Sequence, residues 1–310
     1  MANLRRFLRY DVDIPIFLER LDEEGQPIGL SEQNFLPNNE RFFLEGLRQE
    51  LENAIDRLGK QSPNSVYVLY QLVRPLDLIA FLLDKLAENR NPTEDPTYNY
   101  RMREHEKIDR AAVEKMRGSK IGVLLLALLD RLMQTVREIR GVIELAEDNL
   151  FVFPLNPVEP FDHSVYVKNL DRVAHKGNLV ADTILLIEKL YNGWLKVLQR
   201  LKEFYAYRAR VRDWPVCTVN LSAGGIGVWV DGPWSQLERL NVYMRLDTLV
   251  AAHGKVVFVR EFSDHQPAWR VGVDFEWLPA AKQKLITLFV QRRELEDTMA
   301  QCPHFPGLPA

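Results

Sequence analysis

Two short stretches at opposite ends of the chain carry residue types suited to binding an anionic, hydrogen-bonding ligand. RRFLR, residues 5–9, places arginines at Arg5, Arg6 and Arg9. A guanidinium fork donates two parallel hydrogen bonds to a phosphate, or to O6 and N7 of guanine, and its plane stacks on a purine face. Lysine brings the charge without the fork. NLSAGG, residues 220–225, supplies Asn220, Ser222 and Gly225. Asn220 can bond a guanine edge or a backbone group, with one acceptor oxygen where Asp would bring two. Ser222 offers a small hydroxyl, and Gly225 permits positive φ or close approach of backbone to a ligand. Taken alone, this second stretch is a turn, with glycine for geometry and serine as a local cap. Paired with the arginines it becomes one side of a binding notch.

The elements that must position these residues change period twice. YDVDIPIFLE, residues 10–19, alternates apolar and polar directly after RRFLR and runs into the turn signal DEEGQPIG. That predicts a strand and the start of a hairpin. From about residue 38 to 212 apolar residues recur every three or four positions, which predicts helices. The first follows the N-cap asparagines at 38–39, and the second is bent or broken near Pro75. A third is expected from about Arg103 to Glu147 and a fourth from about Asp162 to Arg212. From Val216 the period becomes two, giving five strands: VCTVNL, GIGVWV, VYMRL, LVAAHGKVVFVRE and AWRVGVDFEW. A last helix, PAAKQKLITLFVQRRELEDTMA, follows, and the tail at 301–310 reads as disordered.

Five strands make an open barrel with exposed edges, and the strand at 10–19 lacks a partner in its own region. Joining it to the others closes the sheet and removes the edges. The expected fold is therefore α+β: a six-stranded barrel with a C-terminal helix, interrupted by an all-α bundle. The segments are 1–30 (arm and first strand), 31–212 (helical insert), 213–300 (rest of the barrel and its helix) and the tail.

RRFLR followed by an alternating strand resembles the R-x-x-x-R motif of PilZ domains. NLSAGG resembles their D/N-x-S-x-x-G motif, and RVGVDF, residues 270–275, is similar to their last strand. The resemblance covers about 30 residues at the start and 85 at the end, with over 200 residues between the motifs where the family has a few tens. It implies a PilZ-type barrel that binds the bacterial second messenger cyclic di-GMP. The implied contacts are Arg5, Arg6, Arg9, Asn220, Ser222 and Gly225, with Leu4 a minor one. A second R-x-x-x-R, at Arg208 and Arg212, lies eight residues before Asn220, too near for the intervening strand. It reads as the solvated end of a helix, with a part in the site left open. Few apolar residues anchor the first ten positions, so the arm is expected to be mobile and to order on binding.

The other classes have less to rest on. Net charge is −3, so no overall field draws nucleic acid. Cys217 and Cys302 are lone thiols, no N-terminal h-region is present, and the longest apolar run, IGVLLLALL, falls short of the ~20 residues of a bilayer span. These features suggest a cytoplasmic protein without a membrane span. Six scattered histidines form no metal motif and no nucleophile elbow occurs, so an enzyme, a metal site or a cofactor is not expected. Trp229, Trp234, Trp269 and Trp277 are read as packing the barrel and its rim, with stacking on a ligand the lesser reading.

Two heptad seams remain. One runs through Val180, Ile184, Ile187, Tyr191, Trp194, Leu198, Leu201 and Tyr205. The other runs through Ile121, Leu125, Leu128, Leu132, Ile139 and Val142, with Thr135 at the missing position. They either face each other in one bundle or pair with another chain. Helices of 40–50 residues would span ~60–75 Å, more than a small domain, which argues for a homo-oligomer through the long helices. A downstream protein is the expected recipient of the signal. The alternative function is a PilZ-like scaffold that binds proteins and no nucleotide.

Overall fold

The computed structural model describes residues 7–146, 149–161, 170–263, 266–267, 269–276 and 278–301. Leu4, Arg5, Arg6, Trp277, the start expected for the fourth helix at Asp162, and tail residues 302–310 lie outside the described residues.

The sheet consists of β1 (Tyr10–Arg20), β2 (Val216–Ser222), β3 (Gly225–Val230), β4 (Arg239–Arg245), β5 (Leu249–Glu261) and β6 (Trp269–Glu276). These close into an antiparallel barrel in the order β1-β2-β3-β6-β5-β4. β1 performs the closure. Its first half pairs with β2, from Tyr10 opposite Leu221 to Pro15 opposite Val216, and its second half pairs with β4, from Ile16 opposite Met244 to Arg20 opposite Leu240. The isolated strand and the open barrel thus satisfy each other. Along β1 the alternation puts Val12, Ile14 and Ile16 inside and Asp11 and Asp13 outside. The interior joins these to Val219, Leu221, Val242, Met244, Val271 and Val273, each worth roughly 1.5–3 kcal/mol when fully buried. Helix α8 (Ala280–Gln301) adds Ile286, Phe289 and Val290 to the same core.

The chain divides into two compact units, residues 1–30 with 210–310, and residues 31–209. Among the described residues the second has helices and no strand: a single turn α1 (Glu32–Phe35), then α2 (Asn38–Gly59), α3 (Pro63–Ala87), α4 (Tyr98–Glu106), α5 (Arg110–Glu114), α6 (Lys120–Leu145) and α7 (Leu179–Ala209). The third helix expected from the periodicity is three. Asp109 caps α5 by accepting from the Ala112 N–H at 3.2 Å, and Ser119 caps α6 by accepting from the Gly122 N–H at 3.0 Å. Such side chains satisfy N–H groups that a new helix start exposes. The last long helix begins only at Leu179, after Gly177 at φ +86°, a backbone conformation glycine adopts without strain. Its 31 residues span about 46 Å, so the argument for an oligomer from helix length disappears. α3 runs unbroken through Pro75. One turn earlier, the buried Gln71 donates to the Tyr67 carbonyl at 2.8 Å and accepts from the Asp109 N–H at 2.9 Å.

Thr135, the polar residue in one seam, meets the other seam directly: its hydroxyl lies 2.8 Å from the Tyr191 hydroxyl in a buried contact. The seams therefore face each other within the bundle at this level. Arg208 is not solvated. It is 1% exposed, donates to the Phe151 carbonyl at 3.0 Å and lies over the Tyr205 ring at 4.1 Å. Arg212, in a 3₁₀ turn beyond the helix, is exposed. Among the described helices α3 is long and apolar enough to cross a bilayer, yet most of that apolar stretch is buried inside the unit.

Candidate functional site

The β1–β2 register sets the site. Asp11 lies opposite Asn220, and the exposed Arg9 stands two residues before Asp11 on the incoming arm. The Asn220 amide donates to the Asp11 carboxylate at 2.8 Å, which fixes the orientation of the amide plane. Arg9 and Asn220 line one depression of about 200 Å³ on the outer face of the barrel, together with Gly227, Phe258, Arg270 and Asp274. Charged forks and an amide around a concave floor can hold a planar base and neutralise phosphate.

The other two members of NLSAGG serve the turn. Ser222 is 1% exposed and its hydroxyl donates to the Gly225 carbonyl at 3.2 Å. Ser222 shares the parity of Asn220, not that of Val219 and Leu221, and is buried at the end of β2 where the chain turns into β3. Gly225 has an ordinary φ, so neither a left-handed backbone nor room for a ligand explains it. A Cβ there would strike the Val273 carbonyl oxygen and come 3.2 Å from the Asp274 Cα. The glycine lets β3 approach β6 where Gly225 and Asp274 pair. Ser222 and Gly225 both shape the turn that carries Asn220.

Gly224, which the motif leaves unspecified, joins the two stretches. A Cβ on it would lie 2.7 Å from Cδ2 of Phe7, so the ring at the centre of RRFLR packs on this bare position and on the barrel core. The Gly224 carbonyl accepts from the Phe275 N–H at 3.0 Å. Tyr10 adds a second tie by donating to the Asp297 carboxylate on α8 at 2.9 Å, and that carboxylate raises the phenol pKa above its ordinary value. Phe7 and Tyr10 thus tie the described part of the arm to the barrel, the first because one aromatic ring fits one glycine.

Comparison with known proteins adds little. No family model matches the chain, and no curated protein does. Among solved structures, the Bacillus subtilis inhibitor of motility (MotI/DgrA) aligns at 18% identity over 27% of this chain and 44% of that one, with a TM-score of 0.24. The match thus spans under half of that protein. The six-stranded barrel with its C-terminal helix is nonetheless the architecture that the motifs' resemblance to PilZ domains implies.

Several site residues escaped the motif reading. Arg270, Phe258 and Asp274 line the depression with Arg9 and Asn220, and Trp229 stands beside it under Arg270, 5.3 Å from ring centroid to guanidinium carbon. A signal existed in the parity of RVGVDF, where Val271 and Val273 point inward and Arg270, Gly272 and Asp274 must point outward. Among the described residues no group of three or more His, Cys, Asp or Glu is placed to hold a metal ion.

Proposed function

We propose that this chain is a receptor for cyclic di-GMP, held between the arm carrying Arg5, Arg6 and Arg9 and the notch carrying Asn220. The observation that carries this reading is the meeting of Arg9 and Asn220 at one depression, although they stand at positions 9 and 220 of the chain. That depression is smaller than the ~300–1,000 Å³ of sites that enclose a whole small ligand. It accommodates one base, and the arm closes over the remainder. Ser222 and Gly225 contribute by holding the turn, and Leu4 contributes packing at the arm. Phe7 fixes the root of the arm on Gly224. The helical insert carries the output to a downstream protein.

Calorimetric titration with cyclic di-GMP tests the reading. The wild type binds, and Arg9→Ala weakens binding about a hundredfold, the scale of losing one bidentate charged contact. Absence of binding by folded wild type overturns it. A second reading then takes over: a PilZ-like scaffold that binds protein through its insert. It is favoured by Phe42 and Phe43, adjacent on α2 and 72% and 61% exposed.

A further inference from the structure

The outer face of the barrel carries a feature that the two motifs do not account for. Gly227 on β3 and Gly272 on β6 are register partners, so two bare positions lie side by side at the middle of a sheet face. Glycine weakens a strand interior, and its presence there marks a bulge or a place that another backbone or a ligand approaches closely. The β5–β6 register shifts between Val256 and Phe258, beside Gly272, and the nearest neighbours of both bare positions are side chains. A Cβ at 227 would lie 3.3 Å from Nη2 of Arg270 and 3.5 Å from the Asn220 Cβ, and one at 272 would lie 3.1 Å from the Phe258 Cβ. The guanidinium of Arg270 therefore rests over Gly227, beside Asn220, with the Trp229 ring behind it. No carboxylate among the described residues pairs with it. An arginine held by stacking over a bare floor, with its donors uncommitted, is preorganised for a ligand.

We infer that this trough is the seat of a guanine base, with Arg270 as a further ligand-binding arginine and Asp274 as the group that selects guanine. Arg270 and Asp274 stand four residues apart on one face of β6, about 13 Å along the strand, with only Gly272 between them. The fork of Arg270 matches the O6 and N7 acceptors of guanine. The exposed carboxylate of Asp274 accepts from the N1–H and 2-amino group, an edge adenine does not offer. Phe258 closes the side formed by β5. This inference rests on the receptor reading above and extends it to the base that the trough reads.

The test is calorimetric titration of the full chain with cyclic di-GMP and with cyclic di-AMP. It is made on wild type, Arg9→Ala, Arg270→Ala, Arg270→Lys, Asp274→Asn and Gly227→Val, with a thermal melt of each as the check of folding. Arg270→Ala weakens cyclic di-GMP binding about ten- to a hundredfold, and Arg270→Lys does not restore it, because lysine lacks the fork. Asp274→Asn narrows the preference for cyclic di-GMP over cyclic di-AMP about tenfold. Gly227→Val keeps the strand and blocks the floor, so binding falls while the melt stays near wild type. If Arg9→Ala loses binding while folded Arg270→Ala and Gly227→Val bind as wild type does, Arg270 and the glycine floor take no part and this inference falls, while the receptor reading stands on Arg9 and Asn220. If folded wild type binds neither dinucleotide, both fall. Should Arg270→Ala fail to fold, Arg270→Lys and Gly227→Val decide the matter.

Discussion

Replacing Gly225 by alanine separates a glycine kept for the ligand from one kept for the fold. Its φ is ordinary, so alanine meets no backbone strain. In open space such a change would stabilise the protein by about 0.4–1 kcal/mol, through a less flexible unfolded chain. The space is not open. The new Cβ would run into the Val273 carbonyl oxygen and sit 3.2 Å from the Asp274 Cα. Both are backbone atoms of the partner strand and cannot swing aside as a side-chain end would. Relief requires β3 and β6 to separate at the Gly225–Asp274 pair, next to the hydrogen bond from Phe275 N–H to the Gly224 carbonyl. Overpacking of this kind costs about 1–3 kcal/mol. At roughly 4 °C per kcal/mol for a unit of this size, the ligand-free melting midpoint falls by about 4–12 °C. Differential scanning calorimetry of both proteins without nucleotide reads the shift. An unchanged midpoint, or a rise, would refute the close-packing argument and return Gly225 to the ligand.

Two further outcomes concern the insert. Arg208→Ala removes a buried charge-assisted bond to the Phe151 carbonyl and a stack on Tyr205. Urea unfolding should show a loss of about 2–4 kcal/mol, whereas a loss below about 0.5 kcal/mol would mark the arginine as a bystander. His105 is 8% exposed, and burial first, then the nearby Arg140, lower its pKa from the ordinary 6.5. It therefore folds neutral while the unfolded chain takes up a proton. Its contribution is complete above about pH 6.5 and is lost as pH falls toward the folded-state pKa. Between pH 7 and 5.5 the wild-type midpoint should drop more than that of His105→Leu, and equal slopes would sink the assignment.

The strands and the closure of the barrel were legible because period-two alternation is a local property and unpaired edges are costly. YDVDIPIFLE and VCTVNL each show which face goes inward, and pairing arithmetic then joins them across the insert. Helix existence was legible for the same local reason. Helix boundaries were not, because Asp109, Ser119 and Gly177 stop or start helices through caps and backbone conformation that periodicity averages over. Arg9 and Asn220 could be named from motifs, but motif letters do not separate residues that face a ligand from residues that hold a turn. Ser222 has the parity of Asn220 but is buried at the turn into β3, and the proximity of β6 explains Gly225. Phe7 on Gly224, Arg270 over Gly227, and Arg208 buried at a helix end are pairings between residues distant in the chain. Residue types and spacing thus determined the elements, their inward faces and two candidate motifs. Which polar groups remain open to a ligand was decided only by tertiary packing, because that depends on what lies within a few ångströms across strands.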